Sequence, residues 1–364
     1  MLLLTVSGTR STLTRRDDIR LAASAVERPR TSGQTPTIPD VTLRSLLAVI
    51  LALVIAGALA ACSGKSFAPK TARAVLPAGQ PGRGRPPITL GDKNFTEQFI
   101  LGQLYAQALR AKGYTVHLKP DIGPSEVTDT ALIRGQVDLY PEYTGVIVSA
   151  LQSITLAAPG AEAPAQAPPR SATQAYEQAA AFEDRRGFEL LDPTPFQNAD
   201  RVATTPAFAS AHGLRTMMDL AQLGSFTYGG PPENRTRYEG VRGMQQAYGL
   251  SRVRFVAYPI GAQYQALNGG KVDTIAVFTT DGRLLHGHYR VLADPKDIFG
   301  FQNLAPVVNK QVISREGPAF AQTLNAVSAT LSTRAIQRMN AAVDVEHRAP
   351  AAVVRSFLAA TLLR

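Results

Sequence analysis

An aromatic ring at the mouth of a cleft offers its face to a cation or an apolar group, and this chain places two rings at matching points of a repeated motif. Residues 131–144 read ALIRGQVDLYPEYT and residues 266–279 read ALNGGKVDTIAVFT. Both follow Ala-Leu-x-x-Gly-x-Val-Asp-x-x-x-x-aromatic-Thr without a gap. Each copy reads as a helix end, a glycine turn, a buried strand and an aromatic just past the strand's C-terminus. Ligands in open α/β sheets sit outside the carboxyl ends of the strands. Tyr143 and Phe278 therefore take equivalent mouth positions in two similar lobes, and on spacing alone they also fit ordinary core aromatics. Other chemistry is poorly supported. Gly64-Lys65-Ser66 lacks the earlier glycine of a phosphate loop, position 59 being Leu, and lies in a tether. The pair His286 and His288 has no cysteine near it and makes no metal site by itself. There is no Gly-x-Ser-x-Gly elbow and no HExxH helix.

The elements that must position these rings alternate. Ile88-Thr89-Leu90 reads as a short strand ended by Gly91, and Phe95 to Arg110 has helical spacing through Phe99, Leu101, Leu104, Tyr105 and Leu109. Gly113 stops that helix, Tyr114 to Leu118 alternates as a strand, a second helix spans about Glu126 to Arg134, and Val137 to Tyr140 is the next strand. Residues 152–170 form an Ala/Pro-rich surface loop. Strands resume near 226–229, 253–257 and 272–278, and the last fifty residues are mostly helical. Strand–helix alternation of this kind makes an α/β sheet with crossover helices.

The 364 residues suit two globular units, and 45% hydrophobic with 18% charged residues excludes a disordered chain. The formal net charge is +10, but residues 1–87 hold 12 basic and 4 acidic side chains, leaving the body nearly neutral. That removes the nucleic-acid reading a basic chain invites. The single cysteine excludes disulfides and a Cys-rich zinc site. Leu46 to Ala61 is an unbroken apolar run of sixteen residues, short for a membrane span and suited to the core of a secretory signal behind Arg44. Leu59-Ala60-Ala61-Cys62 closes it and resembles a bacterial lipobox, in which the Cys62 thiol takes a diacylglyceryl group and becomes the mature N-terminus. Ser63 to Pro87, rich in Pro, Gly, Ala and basic residues, reads as a flexible tether.

Several motifs together resemble the substrate-binding proteins of osmoprotectant ABC importers of the glycine betaine/choline/carnitine type. They are Gly91-Asp92-Lys93-Asn94-Phe95-Thr96-Glu97-Gln98 with Ile100-Leu101-Gly102, Val137-Asp138-Leu139-Tyr140-Pro141-Glu142-Tyr143-Thr144-Gly145, Gly230-Pro231-Pro232-Glu233 with Arg237 and Gly240, Phe278-Thr279-Thr280-Asp281, and Ala305-Pro306-Val307-Val308. The resemblance runs from about 88 to 360. It implies a cleft in which tyrosines cage a quaternary ammonium while basic side chains hold a carboxylate. A cation without hydrogen-bond donors is well held by aromatic faces, worth about 0.5–2 kcal/mol. By motif, Lys93 is a carboxylate partner, Tyr143 one cage wall, Arg237 the anion clamp of the second lobe, and Phe278 a cage tyrosine without its hydroxyl. Without the resemblance, Lys93 and Arg237 read as solvated surface charges. Asp200 and Gln302 stand where the family usually has two further cage tyrosines, as polar ligand contacts or as plain loop residues.

The resemblance implies a two-lobed periplasmic-binding-protein fold of type II-like α/β architecture, with the ligand cleft between lobes and the chain crossing twice, near 195–202 and 288–294. The expected organisation is a leader and lipoprotein signal over 1–61, a tether over 62–87, lobe 1 over 88–198 and 293–364, and lobe 2 over 199–292. The expected role is solute capture by lobe closure and delivery to ABC permease and ATPase subunits, by a monomer anchored outside the cytoplasm through Cys62. No catalysis, cofactor or metal is implied. A more polar solute, or a ligand-sensing role in place of transport, are the other readings. The polar first forty residues fit neither signal nor domain, so translation is expected to start near Val41. N-terminal sequencing of the unprocessed precursor checks this, and a precursor beginning at Met1 would contradict it.

Overall fold

The structure, a computed structural model, describes residues 74–152 and 169–363. The leader, Cys62 and the first part of the expected tether lie outside the described residues, as does nearly all of the 152–170 loop. The end of that tether is bound to the body: Gly82 N–H donates to the Lys112 carbonyl (2.9 Å) and Arg85 to the Arg315 carbonyl (2.8 Å). The folded body thus begins ahead of Ile88.

Among the described residues, ten strands form two five-stranded sheets. The first joins β1 (Ile88–Gly91), β2 (Val116–Lys119), β3 (Leu139–Tyr143), β4 (Phe188–Leu190) and β10 (Leu304–Asn309) in the order β2-β1-β3-β10-β4. The second joins β5 (Asp200–Thr204), β6 (Phe226–Gly230), β7 (Val253–Ala257), β8 (Thr274–Phe278) and β9 (Arg290–Val291) in the order β7-β6-β8-β5-β9. The two orders correspond strand for strand, and so do the directions. β1 is parallel to β2 and β3, as β6 is to β7 and β8. The fourth strand of each sheet, β10 or β5, is antiparallel to both of its neighbours.

Each lobe thus receives one strand through a crossing between the sheets. The first crossing runs through Gln197 to Ala199, within the expected 195–202. The second differs from expectation. Leu292, Ile298 and Phe299 are buried in the core of lobe 2 with Val202, Tyr228 and Met244, and Asp294 accepts from the Tyr248 hydroxyl. Residues 293–299 therefore belong to lobe 2, and the chain crosses at Gly300 to Asn303 rather than near 288–294. The two crossing segments pair with each other through the Gln197–Asn303 bridge and an Asn198 N–H to Gln302 carbonyl bond of 3.0 Å.

In lobe 1 the helix Thr96–Ala111 carries Ile100, Leu101, Leu104, Tyr105 and Leu109 into the core, against β1 and the C-terminal helices Pro318–Thr330, Thr333–Asp344 and Pro350–Thr361. Its N-cap residue, Phe95, makes no side-chain cap. A cap is worth about 1 kcal/mol, whereas each large apolar side chain buried gives about 1.5–3 kcal/mol, so packing holds this helix. The helix Ala172–Arg185 and the strands β4, β5 and β10 were not anticipated from the sequence.

The repeated Val-Asp motif has a structural use in both lobes. The Asp138 carboxylate accepts from the Thr89 N–H of β1 at 2.7 Å, and Asp273 accepts from the Thr227 N–H and hydroxyl of β6, each at 2.7 Å. Each aspartate fastens the entry of one central strand to its parallel neighbour. Asp138→Ala and Asp273→Ala are each expected to lower stability by about 1–3 kcal/mol through the unsatisfied strand amide, measured by urea unfolding. Loss below about 0.5 kcal/mol, the scatter of a neutral surface change, would contradict this role.

Candidate functional site

The C-terminal ends of β1, β3, β6 and β8 converge where the motifs lie. Tyr143 ends β3, Phe278 ends β8, and Phe95 sits one turn beyond β1 in an extended conformation (φ −152°, ψ 159°) ahead of its helix. Phe95 is the ring between the other two, 6.4 Å from Tyr143 and 6.2 Å from Phe278, with interplanar angles of 25° and 17°. The stack runs from lobe 1 to lobe 2. Sequence reasoning gave Phe95 to the helix; it is the N-cap, and its ring packs at the edge of the lobe 1 core while facing Phe278.

Lys93 is buried, with 3% of its surface exposed, and is not a solvated charge. Its ammonium pairs with the Glu142 carboxylate, donates to Ser125 Oγ at 3.1 Å and lies 4.5 Å from the Tyr143 ring centroid. Burial pulls its pKa down from the ordinary lysine value, and Glu142 opposes that shift. The aromatic cluster thus already holds an ammonium, the protein's own. Glu142 was not singled out from the sequence; its place inside the buried run Leu139–Tyr143 signals only that a carboxylate there requires some cation, not which one.

Arg237 is likewise matched. Its Nη2 donates to both carboxylate oxygens of Glu126 at 2.8 and 2.9 Å, and because Glu126 belongs to lobe 1, this pair joins the lobes across the cleft. Burial works against the Glu126 carboxylate, but Arg237 outweighs it and holds the pKa below the usual glutamate range. The Arg237 Nε remains buried and without a partner. Burial raises the pKa of Glu239, two residues on, and the Ser149 hydroxyl of lobe 1 opposes the rise.

Asp200 opens β5 directly opposite Phe278 in the ladder and receives a 3.4 Å contact from the Asn234 amide. Gln302, read from the sequence as a ligand contact or a loop residue, is held within the protein. It is 2% exposed, its Oε1 accepts from the Val146 N–H (3.2 Å), and it packs so closely on Gly145 that a Cβ there would lie 2.5 Å from its amide. Its side chain fastens the turn after Tyr143 to the second crossing.

A further centre was missed from the sequence. Glu97, in the first turn of its helix, is 3% exposed and accepts from the Tyr143 hydroxyl (2.6 Å), Asn198 Nδ2 (2.9 Å) and Asn340 Nδ2 (3.0 Å). Burial raises its pKa, and these donors together with the Thr280 hydroxyl oppose the rise. It lines a cavity of about 610 Å³ shared with Phe95, Phe278, Tyr264, Asp281 and Arg283. Of the six residues expected at the site, only Phe278 lines this cavity. Asn340 lies some 240 positions beyond Glu97, and nothing local in the sequence links them.

Burial, reinforced by Glu239, raises the Asp200 pKa from 3.8 to about 7, while Arg237 and Asn234 oppose the rise. The unfolded chain ionises this carboxyl near 3.8 and the folded protein near 7, so folding loses stability as pH climbs between those values and regains none above. Asp200→Asn is therefore expected to melt at the wild-type temperature below pH 3.8 and above it beyond pH 7. Melting curves across that range check the claim, and an offset independent of pH would contradict it.

Residues 86–360 match the family described as "Substrate binding domain of ABC-type glycine betaine transport system". The chain is 31% identical over 283 residues to the glycine-betaine-binding protein of Pseudomonas aeruginosa, covering 74% of this chain and 86% of that protein. It is 28% identical over 274 residues to the glycine betaine-binding protein YehZ of Escherichia coli, covering 71% and 86%. Apo YehZ superposes with a TM-score of 0.55 at 26% identity over 75% of this chain and 98% of that one. A crystal structure titled glycine betaine/carnitine/choline ABC transporter superposes with a TM-score of 0.60 over 75% and 98%, and at 23% identity it speaks for the fold alone. With the match spanning nearly all of the two-lobed body, the chain belongs to the family of substrate-binding domains of ABC-type glycine betaine transport systems.

Proposed function

We propose that this protein captures a quaternary-ammonium osmoprotectant of the glycine betaine or choline kind between its lobes and delivers it, closed, to an ABC permease driven by a separate ATPase subunit. The family works outside the cytoplasm by binding and not by catalysis. The observation that carries the reading is the Tyr143–Phe95–Phe278 stack with an ammonium 4.5 Å from one of its rings. Aromatic faces that accommodate Lys93 suit a methylated ammonium, which offers charge without donors.

In this reading Tyr143 and Phe278 are walls, Asp200 supplies charge for the cation, and Gln302 acts by positioning Tyr143's turn. Arg237 meets the ligand carboxylate through its free Nε, in competition with Glu126, and Lys93 supports it from lobe 1. Cys62 carries the lipid, and the protein acts as a monomer.

Calorimetry with glycine betaine, choline, carnitine, proline betaine and uncharged polar solutes tests this. Arg237→Gln is the informative variant, because Glu126 is 31% exposed and keeps solvent contact when its partner goes, whereas removing Lys93 strands a fully buried Glu142. Arg237→Gln is expected to weaken glycine betaine about tenfold more than choline, and tenfold corresponds to about 1.4 kcal/mol. Phe278→Leu is expected to weaken both. Absence of binding by every quaternary amine would overturn the proposal.

A further inference from the structure

We propose that the cavity beside Phe95 and Phe278 is a second subsite, which takes a cationic group that keeps N–H donors, a primary to tertiary ammonium or a guanidinium, rather than a fully methylated one. The proposal rests on the reading that the cleft receives a small solute, and it adds a class of ligand to that reading.

Three observations carry it. The first is that Glu97 has no cation. Its partners Tyr143, Asn198 and Asn340 are all neutral, unlike Glu142 and Glu126, which each hold a cation. The second concerns the amides on the same wall. A carboxylate only accepts, so Asn198 and Asn340 turn Nδ2 toward it and are left with Oδ1. Both oxygens are buried and without a partner, in residues 5% and 3% exposed. An orphaned buried acceptor costs about 1–3 kcal/mol, so these two amides are short of donors. The third is charge and shape. Glu97, Asp281 and Asp344 line the cavity against one cation, Arg283, which lies 3.7 Å from Asp344 and 5.0 Å from the Tyr264 ring. The 610 Å³ falls within the roughly 300–1,000 Å³ of small-molecule sites.

A quaternary ammonium brings the charge but leaves both amide oxygens orphaned. A group with N–H donors supplies Glu97 with its missing cation and the amides with their missing donors in one step. Phe95 and Phe278 then give the ligand's apolar part a surface common to this subsite and the aromatic stack.

Choline and N,N-dimethylethanolamine, both monocations at neutral pH, differ by one N-methyl exchanged for N–H, and calorimetry of this pair on the wild type and Glu97→Gln is the test. The wild type is expected to bind dimethylethanolamine more tightly than choline. Glu97→Gln is expected to weaken dimethylethanolamine about tenfold more than choline, a difference of about 1.4 kcal/mol. If both bind and the variant weakens them equally, the subsite is refuted while the quaternary-amine reading stands. If dimethylethanolamine alone binds and depends on Glu97, the subsite stands and that reading fails. If neither binds, the subsite is refuted. Should Glu97→Gln fail to fold, the wild-type order decides, and tighter binding of choline would refute the proposal.

Discussion

A charge withdrawn from water must meet an opposite charge or lose its proton, and most of the cleft is arranged around that requirement. Lys93 is buried deeply, and Glu142, Ser125 and the Tyr143 ring keep an ammonium tenable there. Holding that pair fixes the ends of β1 and β3 relative to one another, and with them the Tyr143 ring. Arg237 and Glu126 repeat the arrangement between lobes, in a half-exposed setting where the pair is easier to break. The two differ in what they do. The buried pair builds one wall of the site, and the more exposed pair joins one lobe to the other.

The contacts between lobes fall into two groups. Beside the crossings they are backbone-directed and short: Asn340 and Gln337 each donate at 2.9 Å to the carbonyls of Thr280 and Thr279, and Gly282 approaches Ala341 so closely that a Cβ would come within 2.3 Å of its nitrogen. At the mouth they are side chains: Arg237 with Glu126, Glu239 with Ser149, and Phe95 with Phe278. Opening therefore breaks charged and aromatic contacts at the mouth and leaves the backbone contacts as a pivot. A hinge of this kind takes up the change in a few residues while each lobe moves as a body.

The repeated motif was the most legible part of the chain, because a buried parallel strand is a continuous apolar run with a turn signal on each side. It located β3 and β8 and both terminal rings, and the helix Thr96–Ala111 was readable for its long apolar stripe. The antiparallel strands β5 and β10 escaped. Asp200-Arg201 at the start of one, and Pro306 within the other, hide the apolar pattern that marks their neighbours. The second crossing was misplaced for a related reason: the 292–299 segment has no regular period, yet Leu292, Ile298 and Phe299 are core residues of lobe 2. At the site, Lys93 and Arg237 were found through motifs, but their carboxylate partners come from other elements. Tertiary pairing of this sort leaves no trace in local spacing.

The segment from Gly79 to Arg85 attaches to one lobe only. Its bonds go to Ala111, Lys112 and Arg315, all in lobe 1, and the chain enters β1 directly afterwards. Any pull transmitted through the residues that precede it is borne by lobe 1 and exerts no torque across the crossings. Among the described residues, this N-terminal attachment therefore leaves the contacts between the lobes untouched.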